Sequence, residues 1–141
     1  MKNNYKKDLL NHKYWDKMHP KARQLIQQRY NKKRLSTPEG KLNRAMSVSM
    51  WQCLGPNKST KSWKTLVNYT LLDLKKHLES QFYNGMTWDS FKNNKVHIHH
   101  IKEKHTFKFK TTNDPEFKEC WALSNLRPMW RKDHIKLHSM T

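Results

Sequence analysis

Apolar residues recur at helical spacing in the first half of the chain. They occupy Leu42, Ala45, Met46, Met50 and Cys53, and steps of three and four residues predict a helix with one buried face. Thr37-Pro38-Glu39 before this stretch is typical of a helix start, with a cap, a proline at the first position and an acid in the first turn. Gly55-Pro56 after it indicates the end of the helix.

A second helical pattern runs from Leu71 to Phe82, with Leu71, Leu74, Leu78 and Phe82 as its apolar face. Thr70 and Asp73 are spaced as a capping box at its start. Asn84-Gly85 predicts a turn, and Thr87 is expected to cap a single helical turn through Phe91.

The pattern changes to alternation at Val96–His99, which predicts a half-buried strand with His97 and His99 on one face. A connection of 24 residues separates His100 from Asn125, and connections of this length usually carry function or local structure. Within it, residues 106–110 alternate and residues 114–121 are expected to be helical.

The N-terminal 36 residues are strongly basic, with eleven Lys and Arg against Asp8 and Asp16. A helix is predicted from Pro20 to about Lys33, with Leu25 and Ile26 as a thin apolar stripe. We expect an ordered arm that neutralises DNA phosphates; the alternative is a solvated, partly disordered tail. The whole chain has a formal charge of +18, from 29 Lys and Arg against 11 Asp and Glu, which favours a polyanionic partner.

The remaining composition sets limits on the kind of protein. A chain of 141 residues suits one domain, or a catalytic unit with an appended arm, and 35% hydrophobic residues predict a small core. Cys53 and Cys120 form no CxxC motif, so neither a zinc ribbon nor a disulfide framework is indicated. Without an apolar run for a membrane span or a signal peptide, we expect an intracellular, cytoplasmic protein with no membrane partner.

Histidines are concentrated near the C-terminus, where six of the nine fall in residues 97–138. His134 and His138 are four residues apart, so on a helix both imidazoles lie on one face. Neutral imidazole is a common ligand for divalent transition metals. A pair at this spacing is compatible with a metal site, although alone it is equally typical of a solvated helix face.

Four segments around these histidines carry a resemblance to a known family. They are VHIHHI at 96–101, DPEFK at 114–118, NLRPMW at 125–130 and DHIK at 133–136. Together they resemble the HNH endonucleases, whose catalytic unit is the ββα-metal (His-Me finger) fold. Similar flanking sequence at 74–82 and 85–88 extends the resemblance over about residues 40–138.

The resemblance implies roles for individual residues. His99 corresponds to a metal ligand, His100 to the general base, Asn125 to a residue that braces the loop and orients His100, and His134 and His138 to the remaining metal ligands. Phage-type members have Asp and Asn where this chain has His99 and His134, and usually no ligand at His138. Three histidines are instead similar to the colicin-type nucleases, and nitrogen ligands favour Zn²⁺, Ni²⁺, Co²⁺ or Mn²⁺ over Mg²⁺ for the one divalent ion.

The predicted activity is metal-dependent hydrolysis of phosphodiester bonds in double-stranded DNA, leaving 5′-phosphate and 3′-hydroxyl ends. His100 would take a proton from water, since an ordinary histidine has a pKa of about 6.5. Exposed cations would hold the phosphates. The candidates are Arg127, Arg131, Lys132 and Lys136. For His97 we prefer a packing or hydrogen-bonding role behind the site, and roles for Glu103 and His105 stay open.

The expected fold is α+β and mostly helical: a basic DNA-binding arm at 1–36, a helical region at 37–93 and an HNH unit at 94–141. The resemblance implies a phage or homing-endonuclease type of protein, acting in a host cell if phage-encoded, with no small-molecule cofactor. One active centre in a monomer would nick DNA, whereas a homodimer would cut both strands. The alternatives are a non-catalytic, zinc-stabilised DNA-binding module and, less favoured, an RNA-binding protein or ribonuclease.

Overall fold

Residues 17–55 and 61–139 are described by a computed structural model of the chain. They form an α+β fold that is mostly helical, with one small antiparallel sheet. The chain divides into one unit that ends at Leu35 and another that begins at Ser36. The aromatic residues predicted to belong to an ordered arm at Tyr5, Tyr14 and Trp15 lie outside the described residues.

The main elements follow one another along the described chain. The helices are α1 (Pro20–Leu35), α2 (Pro38–Leu54), α3 (Leu71–Glu79), α4 (Trp88–Lys92), α5 (Pro115–Cys120) and α6 (Arg131–Ser139), and the strands are β1 (Val96–His100) and β2 (Leu126–Trp130). Short 3-10 turns occur at Trp63–Thr65, Lys104–Thr106 and Leu123–Asn125.

The predicted helix from Pro20 is confirmed as α1, and it continues two residues past Lys33 to Leu35. Its apolar stripe is exposed, however: Leu25 is 61% and Ile26 58% exposed, and α1 has no buried residue. The helix therefore owes nothing to a core of its own.

Both predicted caps of the central helices are present. The Thr37 hydroxyl accepts a hydrogen bond from the Gly40 amide at 3.1 Å at the start of α2, and Gly55 ends that helix with a φ of +54°. Thr70 and Asp73 form the complete capping box of α3. The buried residues of these two helices form much of the core: Leu42, Met46, Met50, Leu54, Leu74 and Leu78.

Helix α3 is shorter than predicted, because it ends at Glu79 and not at Phe82. The Ser80 hydroxyl donates to the His77 carbonyl at 2.7 Å, a local bond that competes with continuation of the helix. Phe82 instead places its ring against Trp88, with centroids 5.0 Å apart.

The two strands are antiparallel, with His99 opposite Arg127 and His100 opposite Leu126. Helix α6 follows β2 directly and contacts both strands. In the connection between the strands, the alternation at 106–110 does not produce a strand: residues 104–106 form a 3-10 turn, and the Asp114 carboxylate accepts from the amides of Lys110 and Thr111. The described part of the chain has no helix with the length and apolar character needed to cross a membrane.

Candidate functional site

His97 and His99 lie on the same face of β1, as predicted from the alternation. Each of their rings has its centroid 5.3 Å from the ring of His134 on α6. The helix therefore covers the face of the sheet that carries these two histidines. His100, the next residue along the strand, is directed to the other face because side chains alternate along a strand.

Three imidazoles form a row across the interface between β1 and α6. His134 Nδ1 is 3.0 Å from His97 Nδ1, and His134 Nε2 is 3.0 Å from His138 Nε2. His134 is the middle member, with one nitrogen directed at each neighbour. The spacing of four residues accounts for the His134–His138 pair, and the strand alternation accounts for His97.

His99 has its two ring nitrogens in different environments. The residue is 4% exposed, Arg127 Nε donates to Nδ1 at 3.1 Å, and Nε2 is buried without a hydrogen-bond partner. Because Nδ1 accepts a hydrogen bond, a neutral ring must carry its proton on Nε2. His99 can offer an Nε2 lone pair to a metal only after Arg127 releases Nδ1.

His100 is 7% exposed and its ring packs edge-on against Trp121, with centroids 4.6 Å apart. Its Nε2 is also buried and without a hydrogen-bond partner. Burial lowers the pKa of His100 to about 3, and the charges of Lys104, His99 and His134 contribute to the shift. The ring is therefore neutral at pH 7, but in this environment it is a weaker proton acceptor than an ordinary histidine.

The other histidines of the site are also held neutral. Burial, followed by the charges of His138, His97 and His99, lowers the pKa of His134 to about 4. Burial is the main cause of the lowered pKa of His97 and His99, with Arg131 acting on the first and Arg127 on the second. Neutral imidazoles keep lone pairs, which a metal ion or a proton donor can use.

Asn125 is 8% exposed and uses its side chain to tie two backbone segments together. Its Oδ1 accepts from the Lys102 amide at 2.7 Å, and its Nδ2 donates to the carbonyls of Cys120 at 2.9 Å and Lys102 at 3.2 Å. The residue thus braces the loop after β1, as expected. Its partners are backbone groups, so any effect on the His100 ring is transmitted through the loop.

The cations expected to hold phosphates lie at the surface around the histidines. Arg127, Arg131, Lys132 and Lys136 are exposed. Lys104, from the connection, is half-buried and donates to the Ser49 hydroxyl at 3.3 Å. Glu103 and His105 pair with each other at 3.2 Å, an arrangement that gives neither a direct contact with the histidine row.

A metal ion fits part of this donor set. Two nitrogens each about 2.0–2.1 Å from a zinc ion are roughly 2.9–3.4 Å apart, a range that includes the 3.0 Å between His134 Nε2 and His138 Nε2. The orphaned Nε2 of His99 is a third potential donor. As the side chains stand, no three His, Cys, Asp or Glu residues within 17–55 and 61–139 converge on a metal position.

Three contributions to the site were not foreseen from the sequence: the Arg127 contact to His99, the Trp121 contact to His100 and the inward position of Lys104. The first follows from strand register, which pairs His99 with Arg127. The others depend on how the connection folds back, and no local pattern encodes that. Comparisons with models of protein families, with curated proteins and with solved structures find no match to this chain.

Proposed function

We propose that this protein is a metal-dependent DNA endonuclease of the HNH type, with the ββα-metal arrangement formed by β1, β2 and α6. The observation that carries the proposal is the convergence of His99, His134 and His138 beside two adjacent buried imidazoles with unpartnered nitrogens. Unsatisfied buried polar atoms are uncommon and mark places where a ligand or a reaction uses them. The charge of +18 supports a nucleic acid as the substrate.

His134 and His138 would hold the ion through their Nε2 atoms, with His99 as the third ligand. A divalent ion bound there supplies Lewis-acid stabilisation of negative charge on the phosphate and the departing oxygen. Arg127 leaves His99 Nδ1 and turns its guanidinium to a phosphate oxygen, a partner that gives stronger, charge-assisted bonds. That movement also frees His99 to offer the Nε2 lone pair.

His100 takes the proton from the attacking water. Its pKa is lowered in the DNA-free protein by burial and by nearby positive charge. A DNA phosphate beside Lys104 and Arg127 adds negative charge, which favours the imidazolium and raises the pKa of His100. Proton transfer is thereby coupled to the presence of the substrate, and Asn125 keeps the backbone after His100 in place.

The test is incubation with supercoiled plasmid and Mg²⁺, Mn²⁺, Ni²⁺ or Zn²⁺, followed by mapping of the ends. We expect nicked product with 5′-phosphate and 3′-hydroxyl ends, since a monomer contains one centre. His100→Gln should abolish nicking and His134→Ala should abolish metal binding, whereas the matched control His105→Ala, an exposed histidine, should retain both. Intact plasmid with every metal, at protein concentrations that bind DNA, would refute the nuclease proposal.

One observation favours a second candidate, a zinc-stabilised DNA-binding module without activity. The Nε2 atom of His100 is buried, and a general base needs contact with water or substrate. In that case His100→Gln changes core packing alone, and DNA binding and metal affinity remain in a protein that cleaves nothing. Cleavage of RNA but not DNA by the wild type would instead identify a ribonuclease.

A further inference from the structure

Helix α1 presents a stripe of side-chain amides along one face. Gln24, Gln27, Gln28 and Asn31 stand at steps of three, one and three residues, so they share a face of an α-helix. The three glutamines are exposed and Asn31 is half-buried. Gln27 Nε2 donates to Asn31 Oδ1 at 3.1 Å, which holds these two amides side by side.

Basic residues lie on both sides of the amide stripe. At 100° per residue, Lys21 and Lys32 fall along one edge, and Arg23 and Arg34 along the other. The helix contains no Asp or Glu and six Lys or Arg. A polar face of uncharged amides between two rows of cations has little use in a protein core, and α1 buries none of its residues.

We propose that α1 is a sequence-reading helix that enters the major groove of duplex DNA with its amide stripe against adenine-containing base pairs. The carboxamide of Gln or Asn can donate to adenine N7 and accept from N6 at the same time, a pairing that distinguishes adenine in the major groove. The cations along the two edges meet the phosphates on either side of the groove. The proposal rests on the proposed DNA-directed function and adds the element that selects the site.

The dimensions select the groove. A helix with side chains is about 10–12 Å across, and the major groove of B-DNA is about 12 Å wide whereas its minor groove is about 6 Å. Sixteen residues span about 24 Å, enough for the four amides to follow several base pairs. The major groove of A-form RNA is too deep and narrow for side chains to read, so duplex RNA is excluded as the ligand.

The experiment is a selection from a random duplex DNA library with the full-length protein in EDTA, which prevents cleavage. We expect an enriched motif with adenines at consecutive positions. Gln28→Ala or Gln24→Ala should reduce the preference for that motif over a scrambled duplex by about 5- to 150-fold, the range for one bidentate base contact. The matched control is Gln52→Ala, an exposed amide on α2, which should leave the preference unchanged.

Lys32→Ala separates phosphate contact from base contact. It should weaken binding to the motif and to the scrambled duplex equally, and reduce the slope of log K against log salt by about 0.9. Amide variants should leave that slope as it is. Circular dichroism of each variant checks that α1 is intact, because these exposed substitutions remove no buried contact.

Several outcomes would overturn the proposal: no enriched motif from a wild type that binds duplex DNA, a preference that survives both glutamine substitutions, or equal binding of duplex RNA. Loss of self-association in place of loss of preference would identify the amide face as a protein interface. Plasmid cleavage is scored separately, so a nuclease without sequence preference refutes only the role of α1. A sequence-selective protein that never cleaves refutes only the nuclease proposal.

Discussion

His99 and His100 are neighbours of the same residue type with opposite surroundings. Strand alternation turns His99 toward α6, where Arg127 and His134 meet its ring, and turns His100 toward Trp121. The first ring has a charged donor on one nitrogen, while the second has an aromatic edge contact. Their difference in chemistry therefore arises from one step along the backbone.

The Arg127 contact predicts an unusual effect on metal affinity. Arg127→Ala removes the donor that fixes the His99 proton on Nε2, so zinc or cobalt should bind several-fold more tightly to the variant. Isothermal titration of the DNA-free protein measures the change. Arg131→Ala is the matched control, because it removes the same charge from an exposed position without touching His99. Equal gains in both variants would show that only net charge acts, and unchanged affinity would refute the tautomer argument.

Asn125 predicts a stability effect at a single side chain. Asn125→Ala leaves the Lys102 amide and the Cys120 carbonyl without their partners, so we expect a loss of about 2–4 kcal/mol in the free energy of unfolding. Urea denaturation measures it. The exposed Asn113 gives a control in which alanine should change stability by less than about 0.5 kcal/mol. Equal, small losses at both positions would contradict the bracing role.

At the scale of elements, the helices were predictable where a local chemical marker fixes their ends. Thr37, Gly55 and Thr70 each act within a few residues of backbone, so their effect is visible in the sequence. The end of α3 was misplaced because Phe82 continues the apolar period while Ser80 interrupts the backbone. The periodicity records only burial, and Phe82 reaches the core through Trp88 without being helical.

The same distinction explains what could be predicted of the site. The spacing of His134 and His138 and the alternation of His97 and His99 are local, and the structure brings their rings together. The tautomer of His99 and the burial of His100 depend on Arg127 and Trp121, which lie 28 and 21 residues away in sequence. Contacts at that separation are set by tertiary packing.

A buried tyrosine provides a test of the packing between elements. The Tyr69 hydroxyl, just before α3, donates to the Trp121 carbonyl at 2.6 Å, just after α5. Burial raises the pKa of Tyr69 above its ordinary value. The folded protein therefore keeps the proton at pH values where the unfolded chain loses it. This stabilisation is fully present below pH about 10, the pKa of an unperturbed tyrosine, and is lost as the pH rises above it.

Tyr69→Phe should cost about 0.5–1.5 kcal/mol at pH 7 through the lost hydrogen bond. Between pH 9 and 11 its stability should fall less steeply than that of the wild type, so the difference between the two narrows. Urea denaturation across this range measures both effects. The exposed Tyr83 is the control, and Tyr83→Phe should follow the wild-type curve. Parallel curves for Tyr69→Phe and the wild type would show that this hydroxyl is not buried.

At the scale of the whole molecule, a charge of +18 is set against a core drawn from a chain that is only 35% hydrophobic. Like charges repel one another in the compact state. The neutral histidines of the site reduce this repulsion, because protonated rings would add further positive charge beside Arg127 and Arg131. Binding of DNA phosphates relieves the repulsion, whereas binding of a metal cation adds to it and must be outweighed by coordination.

Metal binding should therefore appear as a change in the stability of the whole protein. A ligand that binds only the folded state stabilises it by about 2.7 kcal/mol at a hundred times its Kd, which for a protein of this size corresponds to a rise in Tm on the order of 10 °C. We expect this rise with Zn²⁺, Ni²⁺ or Co²⁺ and its reversal by EDTA. Mg²⁺ should have a much smaller effect, because its preferred ligands are oxygens.

Variants show whether the rise comes from the histidine row. His138→Ala removes one of the two nitrogens that lie 3.0 Å apart and, being exposed, leaves the core unchanged; it should cancel most of the rise. His105→Ala should show the full wild-type rise, since that ring pairs with Glu103 instead. An equal rise in both variants would place the metal elsewhere. No rise in the wild type at millimolar metal would mean that repulsion outweighs coordination and that the site holds no ion without DNA.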